Sequence, residues 1–347
     1  MRTALLTGIT GQDGSYLTEL LLDRGYAVHG MVRRASSFNR SRIEHLRADS
    51  EIYGNRLFLH YGDLDDTTTL RRVLVQTKPD ELYHLAGQSQ PGLSFEIPES
   101  TVREAGTACL SLLEILRDLD NPPRVFLASS SEVFGTPEVL RQNEETPFRP
   151  MNPYGCAKAF ATQLGRVYRQ AHGLFVCNGI CYNHESPRRG ESFVTRKISA
   201  AAQRLAQGSS EVLELGNLDS YRDWGYAPEY VEAMWQMLQL PVADDYVLAT
   251  GTATTVRQFA EAAFLAVGLR LEFEGEDSAE IGRDAGTGTT LLRVNPKYYR
   301  PLDPARLVGD STKARRDFGW SARTAGSEVA VAMVRGEGSA RGDTTLG

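Results

Sequence analysis

The stretch Arg2-Thr3-Ala4-Leu5-Leu6-Thr7-Gly8-Ile9-Thr10-Gly11-Gln12-Asp13-Gly14 decides the fold. Arg2 to Thr7 reads as a short apolar strand, and glycines follow at 8, 11 and 14. Ser15 to Arg24 carries Leu17, Leu20 and Leu21 at helical spacing, Gly25 closes that helix, and Ala27 to Val32 reads as the next strand. A strand, a glycine loop, a helix and a second strand form one unit. Its glycines permit a tight turn and let backbone approach a pyrophosphate at the helix N-terminus. Gly8, Thr10, Gly11, Gln12, Asp13 and Gly14 are therefore candidate dinucleotide contacts.

Outward from that unit, strands and helices alternate. Leu57–Tyr61, Glu81–Leu85, Arg124–Ala128 and Phe175–Cys181 read as strands, separated by helical patterns at 67–76, 106–116 and 153–170. Alternation of this kind predicts an α/β fold, a Rossmann-type doubly wound parallel sheet. The rhythm changes after residue 182. Residues 183–197 read as loop, 199–206 and 256–267 as helices, and 276–288 as loop. We expect residues 1–182 to form a cofactor-binding domain. A smaller C-terminal substrate-binding lobe is expected over 183–335, with chain crossings back to the first. Residues 336–347, poor in apolar side chains, are expected to be a disordered tail.

Composition narrows the function. A formal net charge of −6 argues against nucleic acid as a partner. Basic clusters such as Arg33-Arg34 and Arg188-Arg189 suit a small anion better than a polymer. Cys109, Cys156, Cys177 and Cys181 lack metal-ligand spacing and read as reduced thiols, so no metal is expected. The sequence has no signal peptide and no apolar run of about 18 residues, so no membrane contact and a cytoplasmic location are expected.

The end of the second strand selects between cofactors. Where NAD enzymes usually place Asp or Glu, this chain has Arg33 and Arg34, then Ser36 and Ser37. Guanidinium and hydroxyl donors suit a 2′-phosphate, which points to NADP. Asp63 and Leu64, after the third strand, are expected at the adenine, and Leu85 and Ala86, after the fourth, near the cofactor.

The chemistry resides in Ser130-Ser131-Glu132 and in Tyr154-Gly155-Cys156-Ala157-Lys158. Tyr154 and Lys158 stand four apart on one helix face. The Lys charge is expected to lower the phenol's pKa, making Tyr154 a base and cofactor contact for oxidation of an alcohol. Ser130 supplies a hydroxyl beside them. Glu132 adds a carboxylate, which suggests a second proton transfer, at carbon, and hence a dehydratase.

With these motifs assembled, the chain resembles the GDP-mannose 4,6-dehydratase family within the extended short-chain dehydrogenase/reductases. The likeness is carried by Thr7 to Leu17, Asn183 to Gly190, Phe193 to Ile198, Gly216 to Asp219, Arg222 to Gly225 and Tyr298 to Pro301. It implies catalytic Ser130, Glu132, Tyr154 and Lys158. It implies a GDP-sugar held by Ser89, Asn183, Val194, Lys197, Gly216, Arg222, Arg300 and Asp303. His184 and Arg189 are assigned to the cofactor, although Arg189 and Arg196 also read as surface ion-pair residues. The Arg34 to Arg42 segment matches one that reaches a neighbouring subunit's cofactor, which implies a homo-oligomer, a dimer or a tetramer. Gly87, Gln90-Pro91-Gly92, a shortened Glu99 to Thr107 segment, Phe134, Cys156 and Tyr226 depart from the family pattern and read as a cluster around the hexose. A GDP-sugar 4-epimerase, or a dehydratase of a modified GDP-hexose, therefore stays open beside the main reading.

Overall fold

In the computed structural model, which describes residues 1–34, 36, 39–299, 302 and 306–336, β1 (Thr3–Thr7) runs directly into the glycine turn. The helix behind it spans Gln12–Asp23, three residues earlier than expected, because Gly11 in extended backbone serves as its N-cap. β2 (Ala27–Val32), β3 (Leu57–Tyr61), β4 (Glu81–His84), β5 (Arg124–Ser130) and β6 (Val176–Cys181) follow the expected positions closely. They join with a later strand in one seven-stranded, wholly parallel sheet.

The remaining strands are β7 (Asn183–Glu185), β8 (Leu213–Leu215), β9 (Tyr221–Arg222), β10 (Trp224–Tyr226), β11 (Asp245–Leu248) and β12 (Thr254–Thr255). β13 (Leu271–Glu274), β14 (Ile281–Asp284), β15 (Thr290–Val294) and β16 (Arg306–Leu307) complete the set. The large sheet has the order β11-β6-β5-β4-β1-β2-β3. Its direction of winding reverses between β1 and β4, so a crevice opens at the carboxyl ends of those two strands.

Among the described residues four apolar clusters follow, two of which bear on the site. The first joins Leu6, Val28 and Phe126 of the sheet to Tyr230, Met234, Leu248 and Trp320, so the chain returns to the first half late in the sequence. The second gathers Ile198, Trp224, Phe259, Phe264, Leu292 and Met333.

Three segments differ from their sequence reading. The 106–116 helix begins at Pro98, a residue suited to the first helical position, and reaches Arg117 through a π turn at Arg103–Thr107. Residues 183–197 contain β7 and the start of the Val194–Ala206 helix rather than loop. Within 276–288, β14 pairs with both β13 and β15. Its two inward positions are Gly282 and Asp284, so no apolar alternation marks it.

Candidate active site

The crevice at the β1–β4 reversal opens into a cleft of about 1160 Å³. Gly8, Thr10, Gly11, Gln12, Asp13 and Gly14 line one end, with Arg33, Asp63, Leu64, Leu85 and Ala86 beside them. Gly8 adopts φ +77, and a Cβ there would lie 2.9 Å from the Ala86 nitrogen. Gly11 gives the following helix no side-chain cap, so its first amides are available to an anion. A cradle that a Cβ would fill, at an uncapped helix N-terminus, fits a dinucleotide pyrophosphate. Arg33 is exposed and its Nη1 lies 3.9 Å from Glu104 Oε1. Ser36 is exposed and does not line the cleft; Ser37, also assigned to the cofactor, lies outside the described residues.

His184 and Asp13 form a pair at 3.0 Å across the cofactor end, between β7 and the first helix. Burial would raise the Asp13 carboxyl, but His184, Gln12 and Arg189 hold it at about 2. Burial would lower His184; Asp13 reverses this and raises it. Gln12 locks the same seam, donating to the His184 carbonyl and accepting from Ser186 Oγ. Arg189 is not a surface ion-pair residue. Its side chain is largely buried in the cleft wall, over the Phe193 ring, with Nε 3.0 Å from Glu185 Oε2. Arg42 turns inward in this chain, donating to the Arg188 and Thr10 carbonyls.

The catalytic candidates meet in the middle of the cleft. β5 ends at Ser130, whose Oγ accepts the Glu132 backbone N–H at 3.2 Å. Tyr154 and Lys158 come from the first turns of the Pro153–His172 helix, and the Ser130 hydroxyl acts on the Tyr154 phenol. Burial pushes the Tyr154 phenol well above its ordinary value; the Ser130 hydroxyl opposes this, while the Glu132 charge adds to it. The expected depression by Lys158 is therefore not found. Lys158 Nζ is 5.8 Å from the Tyr154 ring centre and donates to the Ala128 carbonyl at 2.7 Å. Burial lowers Lys158 itself, and its charge helps burial press His84 down to about 3.

Glu132 is buried, and its Oε2 accepts from Asn152 Nδ2 at 2.8 Å. Asn152 also caps the helix that carries Tyr154. The sequence reading missed this residue, although Asn before Pro is a helix-start signal.

At the far end, Ser89, Asn183, Val194, Lys197, Gly216 and Arg222 all line the cleft. Arg222 is buried on β9. The adjoining Asp223 carboxylate, also unforeseen, fixes that strand by accepting from Thr250, Gly251 and Gly309. Lys197 Nζ sits 4.8 Å from the Tyr298 ring centre. Arg300 and Asp303 lie outside the described residues. Among the family departures, Gly87 and Gln90-Pro91-Gly92 do line the cleft, and Gln90 Nε2 donates to Ser192 Oγ at 2.5 Å. Phe134, Cys156 and Tyr226 do not, so the departures are not one cluster around the sugar.

Among the described residues no group of acidic, histidine and cysteine side chains could hold a metal, and no helix is long and apolar enough to cross a membrane. All four cysteines are free, three of them buried.

A parallel sheet with a glycine turn at its reversal point, and a Ser/Tyr/Lys set from the end of β5 and the Pro153–His172 helix, define an extended short-chain dehydrogenase/reductase. The whole chain compares with solved structures of that class. The UDP-glucose 4-epimerase of Thermus thermophilus, solved with NAD, aligns over 96% of this chain and 99% of its own, with a TM-score of 0.76 at 25% identity. The dTDP-glucose 4,6-dehydratase of Bacillus anthracis, also with NAD, covers 96% of each chain with a TM-score of 0.77 at 16% identity.

Residues 5–333 match the model of the GDP-mannose 4,6 dehydratase family, and the chain belongs to that family. A GDP-mannose 4,6-dehydratase of Sinorhizobium fredii is 49% identical over 336 residues, 96% of each chain. The human GDP-mannose 4,6 dehydratase is 47% identical over 338 residues, 96% of this chain and 91% of its own.

Proposed function

We propose that this chain converts GDP-mannose to GDP-4-dehydro-6-deoxymannose and water. The cofactor would sit on residues 1–182 and the GDP-sugar mainly on 183–335. The observation that carries the reading is Glu132, a buried carboxylate on the turn that also carries Ser130, tied through Asn152 to the helix of Tyr154. An alcohol oxidation site needs no such group; a carbon acid does.

Arg33 at the end of β2 favours NADP over NAD. NADP bound in the glycine cradle would supply the oxidant for C4 and return the same hydride to C6. Tyr154, aligned by Ser130, takes the proton of the sugar 4-hydroxyl. The resulting 4-ketone acidifies the C5 hydrogen, and Glu132 removes it. Glu132 then gives that proton to the C6 hydroxyl, which departs as water. Once C6 has regained the hydride, Tyr154 gives its proton to C5, so Tyr154 and Glu132 end as they began and no external oxidant is consumed. Arg222 supplies charge for the diphosphate. The chain is also read as cytoplasmic and, by its family resemblance, as a homo-oligomer with the Arg34 to Arg42 segment at an interface.

Glu132→Gln tests the assignment. With GDP-mannose it is expected to reduce bound NADP but to lose nearly all release of water, followed by product mass. Water loss at the wild-type rate would remove Glu132 from the reaction.

A further inference from the structure

Asn152 stands between the two proton-transfer groups. Its Oδ1 accepts the Gly155 backbone N–H at 2.8 Å, and its Nδ2 donates to Glu132 Oε2 at 2.8 Å. Asn152 is 4% exposed and Glu132 7%, so neither bond is exchanged freely for water. Together the bonds settle which way the amide points. The helix N-terminus needs an acceptor at Gly155, so Oδ1 must face it, and Nδ2 then faces Glu132. An amide N–H only donates. Oε2 is therefore held as an acceptor.

We infer that Asn152 is a positioning residue for the carbon-acid half of the reaction, an inference that rests on the dehydratase reading. It aims the Glu132 carboxylate for the proton that leaves C5 and departs with the C6 oxygen. The backbone around it is equally constrained. Gly155 packs so closely that an added Cβ would lie 2.6 Å from the Glu132 carbonyl oxygen, and the Arg149 N–H donates to the Val133 carbonyl. Oxidation at C4 uses Tyr154 and Ser130, not Glu132. Loss of the Asn152 donor should therefore divide the two halves of the reaction.

Two variants separate this role from helix capping. Asn152→Asp keeps a good cap but replaces the donor with a second carboxylate against Glu132. Asn152→Ser keeps a capping hydroxyl and adds no charge. In rapid mixing of GDP-mannose with the NADP-loaded enzyme, both are expected to reduce the cofactor near the wild-type rate. Water loss is expected to fall on the order of 10- to 100-fold in Asn152→Asp and less in Asn152→Ser, the worth of one hydrogen bond to a charged group. Reduced-nicotinamide absorbance should build up in place of product. Readings are taken on whichever variants melt with wild-type cooperativity. Equal slowing of both halves, or no slowing of water loss, overturns the inference. Glu132→Gln measured alongside keeps the two failures apart. If that variant still releases water, the dehydratase reading falls. If it does not, while both Asn152 variants release water normally, only the role of Asn152 falls.

Discussion

Gly155 shows how tightly the catalytic residues are placed. It lies one position after Tyr154 on the helix, and a Cβ there would come within 2.6 Å of the Glu132 carbonyl oxygen and 3.1 Å of Pro150 Cβ. Neither neighbour can give way, since one is backbone and the other a proline ring. Gly155→Ala is expected to cost about 1–3 kcal/mol of stability, read as a lowered thermal midpoint. Gly92→Ala, where no atom lies within 4 Å of an added Cβ, is expected to stay within about 0.5 kcal/mol of the wild type. Ser130, Glu132, Tyr154 and Lys158 were legible in the sequence because each is a reactive group in a recognisable local pattern. Asn152 and Asp223 were not. Asn152 meets Glu132, and Asp223 meets Thr250 and Gly309, only across 20 or more residues, and their roles at the site exist only once those partners arrive. The environment of Tyr154 is not legible in the sequence either. Four residues on a helix put Lys158 on the correct face, but local spacing says nothing of burial, which controls the phenol.

Among the elements, β7 and the helix Gln12–Asp23 are joined by the His184–Asp13 pair, and this gives the cofactor end a pH dependence. Asp13 falls on folding from an ordinary 3.8 to about 2, so its contribution is complete above 3.8 and is lost as pH drops through about 2. His184 is raised above 6.5, so its contribution is complete below 6.5 and is lost as pH climbs through the raised value. The two overlap between pH 3.8 and 6.5. His184→Gln is expected to lose about 2 kcal/mol there and progressively less towards alkaline pH, in thermal melts across a pH series. A difference that grows with pH would contradict the pairing. The strands of the large sheet were legible as apolar runs between helical patterns. β7 and β14 were not. β7 is three polar residues long, and β14 turns a glycine and an aspartate inward. Pairing with β10, and with β13 and β15, makes them strands, and pairing partners are tertiary information.

Across the whole molecule, two of the four apolar clusters flank one cleft. The sheet and its glycine turn form one wall. The other comes from β7, β8, β9 and the Val194–Ala206 helix, which the second core supports. The late return of 227–248 and 312–320 to the first core ties the walls together, so both walls belong to one packed unit. Such a cleft can retain a cofactor that is reduced and reoxidised within one turnover, with the sugar held in place throughout. The consequence is intramolecular transfer from C4 to C6. It is tested by incubating the purified chain and NADP with GDP-mannose deuterated at C4, in ordinary water, and locating the label by NMR and mass spectrometry. The deuterium is expected at C6 of a GDP-4-dehydro-6-deoxyhexose that has lost one water. Label found at C4 of an undehydrated hexose, or washed out to solvent, would contradict dehydration by internal transfer.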